Sequence, residues 1–213
     1  MGMSVTLKTI SDSRRYPQLV EWYYMANPIS HQLGYGRFAK RIIQAHLSRT
    51  SPLIMNHYLK GIFIKQSLVG FLIVYPISDR FQIEQHSFNN LKAHMNRLSY
   101  FRRIRFYRKV AHILNGEIND DYYYLHSLVI DKSYRNQGIG SEVIDRLMKK
   151  YSRIALYVNE KNYDAIQFYF KNGFKPVHHG QFRYKCDYYG EYLMCKEASM
   201  KNEEKQLLKF LQY

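Results

Sequence analysis

One stretch of the chain, residues 122–141, constrains the fold more than any other. Its first part, residues 122–130, is a run of aromatic and β-branched residues, which is typical of a largely buried strand. A turn with two glycines, Gly138 and Gly140, follows and opens a helix. The apolar stripe of that helix consists of Val143, Ile144, Leu147 and Met148. Unpaired N–H groups and the helix dipole favour an anion at such a helix start, and glycine lets the anion approach the backbone, so the stretch predicts a phosphate-binding loop.

The spacing of the glycines limits which class of phosphate-binding loop this stretch can form. A dinucleotide-binding fold uses G-x-G-x-x-G and a P-loop uses G-x-x-x-x-G-K-[ST], and this stretch has neither pattern. It has R-x-x-G-x-G, in which the fixed residues are Arg135, Gly138 and Gly140. This pattern resembles the pyrophosphate loop of the GNAT superfamily of acetyl-CoA-dependent N-acetyltransferases. A short glycine loop alone also fits a plain strand–turn–helix connection.

A second block of residues supports the same resemblance. Residues 162–174 match the family segment N-x-x-A-x-x-[FL]-Y-x-x-x-G-F at every fixed position. Those positions are Asn162, Ala165, Phe168, Tyr169, Gly173 and Phe174. A short apolar segment between the blocks, residues 153–158, predicts a strand. The order strand, loop, helix, strand, helix is specific, so residues 122–174 are identified as part of a GNAT domain.

The resemblance implies an α/β (α+β) GNAT fold in a single domain, residues 1–213. It implies a mixed, mostly antiparallel central sheet of about seven strands flanked by helices. The chain departs from the family pattern at residues 78–121, because about forty residues separate its third and fourth strands. A loop of that length without secondary structure is uncommon, so we expect a helical insert there. A further helix is expected at residues 199–213.

The resemblance also implies acetyl-CoA as co-substrate and assigns the residues that hold it. The expected pyrophosphate loop consists of Arg135, Asn136, Gln137, Gly138, Ile139, Gly140 and Ser141. The expected partners of the pantetheine arm are the backbone groups of Leu128, Val129 and Ile130. In the family this part of the fourth strand separates from the fifth, and we expect the N–H of Val129 to polarise the acetyl carbonyl. Asn162 is expected to contact the pantetheine arm, to cap its helix, or both.

Tyr169 matches the family's general acid, which protonates the departing thiolate. A phenol and a thiol have ordinary pKa values near 10 and 8.5, so this proton transfer depends on position more than on pKa. The alternative is that Tyr169 is a core tyrosine, one of 21 tyrosines in the chain.

The base that deprotonates the amine is less clear from the sequence. The segment around His126, Leu-His-Ser-Leu, resembles the Leu-His-Ala-Leu of arylalkylamine N-acetyltransferases, whose histidine acts through water. The alternatives are that His126 is a plain buried histidine, or that an acid before the strand is the base: Glu117, Asp120 or Asp121.

The chain is strongly basic, with 32 Lys and Arg against 17 Asp and Glu and a net charge of +15. Coenzyme A is polyanionic, but this excess is larger than one cofactor needs. Much of it lies in residues 80–109, where eight basic residues accompany one acid, Glu84. Three interpretations compete: a solvated helical insert, a lid or wall of the acceptor site, or a contact for an acidic partner, nucleic acid or a second subunit. The sequence favours the solvated insert, with Phe101, Ile104, Ala111 and Leu114 on one helix face.

Local patterns predict the remaining elements. A strand is expected at residues 5–10, a helix up to Asn27-Pro28, a loop at residues 31–36 and a helix at residues 37–48. The expected hairpin pairs residues 61–64 with residues 68–75. Near the C-terminus we expect an aromatic-rich loop with Phe182, Tyr184, Tyr188 and Tyr189, followed by a last strand at residues 191–195.

The sequence therefore predicts an N-acetyltransferase that moves an acetyl group directly to a primary amine of a small molecule or a protein. The alternative is a weakly active CoA-binding protein that uses the basic insert to bind a partner. No apolar run reaches membrane-spanning length and no leader is visible, so a cytoplasmic protein without a membrane partner is expected. Two cysteines, Cys186 and Cys195, favour neither a disulfide framework nor a metal site. Nucleic acid, not favoured, and a second copy of the chain stay open as partners.

Overall fold

The computed structural model describes residues 4–114, 116–184 and 186–198. The helix predicted at residues 199–213 lies outside the described residues. The strands are β1 (Val5–Thr9), β2 (Leu59–Ile64), β3 (Ser67–Pro76), β4 (Tyr123–Ile130), β5 (Arg153–Asn159), β6 (Lys175–Tyr184) and β7 (Asp187–Glu197). They form one sheet in the order β1-β2-β3-β4-β5-β7-β6. Only β4 and β5 pair in parallel, which confirms the mixed, mostly antiparallel sheet.

Helices cover both faces of this sheet. They are α1 (Gln18–Ala26), α2 (Pro28–Tyr35), α3 (Ala39–His46), α4 (Pro52–Met55), α5 (Arg80–His94), α6 (Arg97–Leu114), α7 (Ile139–Lys150) and α8 (Tyr163–Lys171). On one face the predicted stripe of α7 is buried together with Leu125 of β4. On the other face Leu19 and Ile43, from α1 and α3, are buried together with Val129 of β4. Each buried aliphatic side chain stabilises the fold by roughly 1.5–3 kcal/mol, so β4 is held firmly from both sides.

The prediction of a loop at residues 31–36 is wrong, because these residues lie largely in helix α2. Asn27 and Pro28 do end α1, as expected, but they also start the next helix. Pro28 occupies its first position, where no N–H is needed, and the Asn27 side chain accepts a hydrogen bond from the Ser30 N–H at 3.2 Å. Gly36, with φ +57°, ends it.

The insert is helical, as predicted, and consists of α5 and α6. The expectation that it is merely solvated is wrong, because α6 packs against both α2 and β6. The Arg103 guanidinium contacts the backbone carbonyl of Leu33 in α2. Gly180 of β6 lies against the backbone of Ile113, where a β-carbon would collide. Phe101 does not belong to the packed face, since it is 57% exposed.

The aromatic-rich loop predicted before the last strand is instead a hairpin. β6 and β7 pair from Lys175↔Cys195 to Tyr184↔Asp187, so the chain stays extended on both sides of the turn. The ring centroids of Phe182 and Tyr189, which face each other across the two strands, lie 5.9 Å apart. Aromatic cross-strand pairs of this kind stabilise antiparallel pairs, and this pairing replaces the expected loop.

None of the helices in the described ranges is long and apolar enough to cross a membrane.

Candidate active site

The parallel strands β4 and β5 pair only at one end. Their ladder covers Tyr123↔Ile154 and Tyr124↔Ala155 and then stops. Beyond this point β4 continues along β3 up to the pair Gly70↔Ile130, while β5 continues along β7. The two strands therefore separate and leave a gap that one edge of β4 faces.

Hydrogen bonding with β3 decides which N–H groups of β4 face that gap. Asp131 N–H donates to the Val69 carbonyl at 2.8 Å, which makes this a hydrogen-bonded pair of the ladder. Bonded and non-bonded pairs alternate along an antiparallel ladder. Val129 therefore directs its N–H to β3, and Leu128 and Ile130 direct theirs into the gap. The geometry favours Leu128, rather than the expected Val129, as the donor to an acetyl carbonyl.

His126 sits on a β-bulge. Ile73 of β3 pairs with Ser127 and Val74 pairs with Leu125, so His126 is an extra residue in β4. Its Nδ1 lies 3.0 Å from the Ser127 Oγ. Three aromatic rings lie within 6.1 Å of its ring centroid: Tyr23, Tyr75 and Tyr124. Burial, reinforced by the charges of His31 and Arg80, lowers the pKa of His126 to about 4, so the imidazole is neutral near pH 7.

The glycine loop has an open surface at the N-terminus of α7. Asn136 and Gly138 have φ values of +60° and +78°, in the left-handed region. The first intrahelical hydrogen bond runs from the Glu142 N–H to the Gly138 carbonyl at 3.0 Å, so the N–H groups before Glu142 have no helical partner. A β-carbon built on Gly138 would meet nothing within 4 Å. This loop is therefore free to receive an anion.

Side chains of the loop bind back to its own backbone. Arg135 Nε donates to the Ile130 carbonyl at 3.0 Å, and Gln137 Nε2 donates to the Ser133 carbonyl at 3.1 Å. The first of these bonds ties the loop to the end of β4, where the gap opens. The structure thus brings the predicted pyrophosphate residues next to the predicted pantetheine residues.

Helix α8 packs beside this loop. A β-carbon on Gly140 would lie 3.0 Å from the Phe168 ring, so the small residue allows α7 and α8 to approach closely. Asn162 caps α8, because its Oδ1 accepts a hydrogen bond from the Ala165 N–H at 3.3 Å. The capping role predicted for Asn162 is therefore confirmed.

Tyr169 lies on α8 among aromatic side chains. Its ring meets Phe168 and Phe174 edge-on, with centroids 5.2 Å and 5.4 Å away. Burial raises the pKa of its hydroxyl above the usual value near 10. Within the described residues that hydroxyl makes no hydrogen bond. Tyr169 is therefore a neutral phenol whose proton is not committed elsewhere.

A cavity of about 660 Å³ is lined by residues of both β4 and β5. Its lining includes Tyr124 of β4, Tyr157 and Asn159 of β5 and Glu191 of β7. The insert helices α5 and α6, helix α2 and the β6–β7 hairpin supply the other walls. The insert is thus a wall of this cavity. That it is a wall of the acceptor site, the second interpretation that the sequence left open, stays a prediction.

Few of the residues that line the cavity are charged. Arg80 binds Glu84 at 2.7 Å, and its guanidinium lies 5.5 Å from the ring centroids of both Tyr124 and Tyr157. Glu191 is half-buried, and its Oε1 accepts a hydrogen bond from the Ser30 hydroxyl at 3.2 Å. Burial raises the pKa of Glu191, although hydrogen bonds from Ser30 and Asn27 and the Arg80 charge act in the opposite direction.

The acids proposed from the sequence as alternative bases do not line the cavity. Glu117, Asp120 and Asp121 are exposed at the start of β4, and Asp121 forms an ion pair with Arg153. Sequence reasoning missed Glu191 and Arg80 as site residues. The sequence shows only that both residues are charged, because a strand register and a helix position, rather than a local pattern, bring them to the cavity.

Comparisons with known proteins agree with this arrangement. A family model described as an acetyltransferase (GNAT) domain matches residues 62–176. No curated protein sequence matches significantly. An N-acetyltransferase from Staphylococcus aureus Mu50 superposes with a TM-score of 0.63 and 14% identity, over 90% of this chain and 100% of that chain. NAA60 of Arabidopsis thaliana, in complex with a bisubstrate analogue, superposes with a TM-score of 0.52 and 16% identity, over 93% of this chain and 100% of that chain. The apo form of YjaB from Escherichia coli superposes with a TM-score of 0.52 and 15% identity, over 92% of this chain and 100% of that chain.

These structural similarities all have sequence identities below 25%, so they are evidence for the fold alone. The family model is the stronger finding, because it covers more than half of the chain and includes both the separating strands and the glycine loop. The protein belongs to the GNAT acetyltransferase family.

Proposed function

We propose that the protein transfers the acetyl group of acetyl-CoA directly to a primary amine, with both substrates bound at once. Acetyl transfer from acetyl-CoA is the general activity of the family. One observation carries the proposal: β4 and β5 stop pairing after Tyr124↔Ala155, and residues of both strands line a cavity of about 660 Å³. A co-substrate and an acceptor can therefore meet in the gap.

The co-substrate binds along the edge of β4. The free N–H groups of Ile139, Gly140 and Ser141 receive the pyrophosphate, and each hydrogen bond to a charged group contributes roughly 1.5–3 kcal/mol. The pantetheine arm pairs with Ile130 as an added strand would. The Leu128 N–H then points at the thioester carbonyl and stabilises the negative charge that develops there.

The acetyl transfer needs a neutral amine and a proton for the leaving group. An alkylamine with a pKa near 10 is neutral in only about one molecule in a thousand at pH 7, which costs about 4 kcal/mol. After the ammonium loses one proton, the nitrogen lone pair attacks the thioester carbon and the C–S bond breaks. Tyr169 donates its phenolic proton to the thiolate, and the second proton of the nitrogen restores the phenol. The products are the acetamide, CoA thiol and one released proton.

His126 is the base candidate from the sequence, and its neutral state leaves a ring nitrogen able to accept a proton. Its pKa of about 4 makes it a weak base, however, because a base works best when its pKa is near the operating pH. We therefore propose that His126 orients the amine or a water molecule more than it retains the proton.

The test is an acetylation panel of small amines, polyamines and peptides with the purified protein. Release of CoA thiol is followed with a thiol reagent, and the acetylated product is identified by mass spectrometry. The proposal requires acetylated product from at least one primary amine. CoA binding without turnover on any acceptor would contradict it and favour the alternative of a CoA-binding protein.

A further inference from the structure

We propose that Glu191 binds the ammonium group of the acceptor, and that the acceptor is a small primary amine with one positive charge and a flat apolar body. This inference rests on the proposed function, since it assigns the cavity of about 660 Å³ to the acceptor. It adds to the proposed function a site residue in β7, outside both sequence motifs, and it names a class of acceptor substrate.

The first support is the environment of the carboxylate. Glu191 is half-buried and lines the cavity, and the neutral hydroxyl of Ser30 donates a hydrogen bond to it at 3.2 Å. Among the described residues no cation lies within ion-pair distance of it. Partial withdrawal from water makes a carboxylate costly unless a positive charge compensates it, so a cationic ligand group gains a favourable interaction here.

The second support is the position of Glu191 relative to the strands. It pairs with Asn159 across β5 and β7, and both residues line the cavity. β5 is also the strand that separates from β4, and Tyr124 of β4 lines the same cavity. An amine held by Glu191 therefore lies on the cavity side of the gap into which the Leu128 N–H points.

The third support is the charge balance in the cavity. The other carboxylate, Glu84, is already bound to Arg80 at 2.7 Å, and Arg108 adds a further positive charge to the lining. Glu191 is thus the one carboxylate of the lining left for a ligand. A second ammonium group would meet Arg80 or Arg108, so the cavity disfavours polyamines.

The fourth support is the chemistry of the walls, which contain many aromatic side chains. Six of the lining residues are Phe88, Tyr100, Phe106, Tyr107, Phe182 and Tyr189. Aromatic walls stack well on flat apolar groups, and a cavity of this volume suits a small molecule. Together with Glu191 they describe a monoamine whose body is apolar.

The test measures binding separately from turnover. Calorimetry with 2-phenylethylamine and with its neutral isostere 2-phenylethanol is done on the wild type, Glu191→Gln and Glu191→Asp. Glu21→Gln serves as a charge-matched control, because Glu21 pairs with Lys40 on the surface. Thermal unfolding of each variant establishes that it is folded. The steady-state KM values for 2-phenylethylamine, spermidine and acetyl-CoA are then measured.

We expect Glu191→Gln to weaken binding of 2-phenylethylamine about tenfold or more, because a hydrogen bond to a charged group is lost. Binding of 2-phenylethanol and the KM for acetyl-CoA should change less than about twofold, and Glu191→Asp should retain part of the affinity. Equal affinity of the wild type and Glu191→Gln for the amine overturns the proposal. So does a higher kcat/KM for spermidine than for 2-phenylethylamine. If Glu191 binds the amine but no acceptor is acetylated, the proposed function fails while this inference stands.

Discussion

The guanidinium of Arg103 contacts the backbone carbonyl of Leu33 and so fixes the insert helix α6 directly to helix α2. One turn further along α6, the Tyr107 hydroxyl lies so close to Gly34 that a β-carbon at Gly34 would overlap it. Tyr107, Leu33 and Gly34 all line the cavity. The contact between the two helices is therefore also part of the wall against which an acceptor would bind.

The first prediction follows from that contact. Arg103→Ala removes the link between α6 and α2. A lost hydrogen bond from a charged donor costs roughly 1.5–3 kcal/mol, and only part of this cost reaches the cavity wall, so we expect the KM for the amine acceptor to rise about three- to tenfold. The KM for acetyl-CoA should stay the same, because the glycine loop lies outside the insert. Arg105→Ala is the matched control, since Arg105 is exposed and shows no contact within the described residues. Equal amine KM values for the two variants would exclude this role of Arg103.

The second prediction concerns the glycine loop. Gly138→Glu places a negative charge where the pyrophosphate is expected, and we predict at least a tenfold loss of CoA affinity by calorimetry. Gly138→Asn is the control for backbone strain, because Asn tolerates a φ of +78° better than other residues. The open space around Gly138 lets both side chains fit without a clash. Unchanged CoA affinity in folded Gly138→Glu would refute the assignment of the loop.

The third prediction separates chemistry from binding at Tyr169. Tyr169→Phe keeps the ring contacts with Phe168 and Phe174 but removes the proton donor. We expect kcat to fall about 10²-fold or more, with the KM for acetyl-CoA nearly unchanged. Tyr163→Phe on the same helix, at a position that is 70% exposed, should have no effect on kcat. Full turnover by Tyr169→Phe on a true acceptor would remove this residue from the mechanism.

The parts of the fold that were predictable depend on local chemistry. Gly138 adopts a left-handed conformation and Asn162 caps a helix, and both roles follow from residue type and neighbours in the chain. The Asn27-Pro28 pair shows the limit of local rules. It ends one helix and also starts the next, and the sequence indicated only the first of these roles.

The parts that could not be predicted depend on contacts between distant segments. Glu191 enters the cavity because β5 and β7 pair in one particular register, which no local pattern specifies. Arg80 is one of eight basic residues in the insert, and only its position beside Tyr124 and Tyr157 distinguishes it. The N–H proposed to polarise the acetyl carbonyl is another case, because the choice between Leu128 and Val129 depends on the ladder between β3 and β4.

The last prediction concerns buried histidines and stability in mild acid. Burial lowers the pKa of His31, His46 and His126, in the case of His46 to about 3 with added repulsion from His126, His86 and His31. Unfolding restores pKa values near 6.5, so the unfolded chain binds more protons than the folded one below that pH. Their neutral state favours folding above about pH 6.5, and this contribution decreases as the pH falls through the range down to the folded pKa values.

Between about pH 6.5 and pH 5 the free energy of unfolding should therefore fall, approaching about 1.4 kcal/mol per pH unit for each such histidine. His46→Gln removes one titrating group and should flatten this dependence by up to that amount. His57→Asn is the control, since His57 is exposed at a position with φ +58° that Asn tolerates, and it should leave the slope unchanged. Urea unfolding at several pH values measures the slopes. If wild type and His46→Gln give the same slope, His46 does not titrate on unfolding and the account of its burial is wrong.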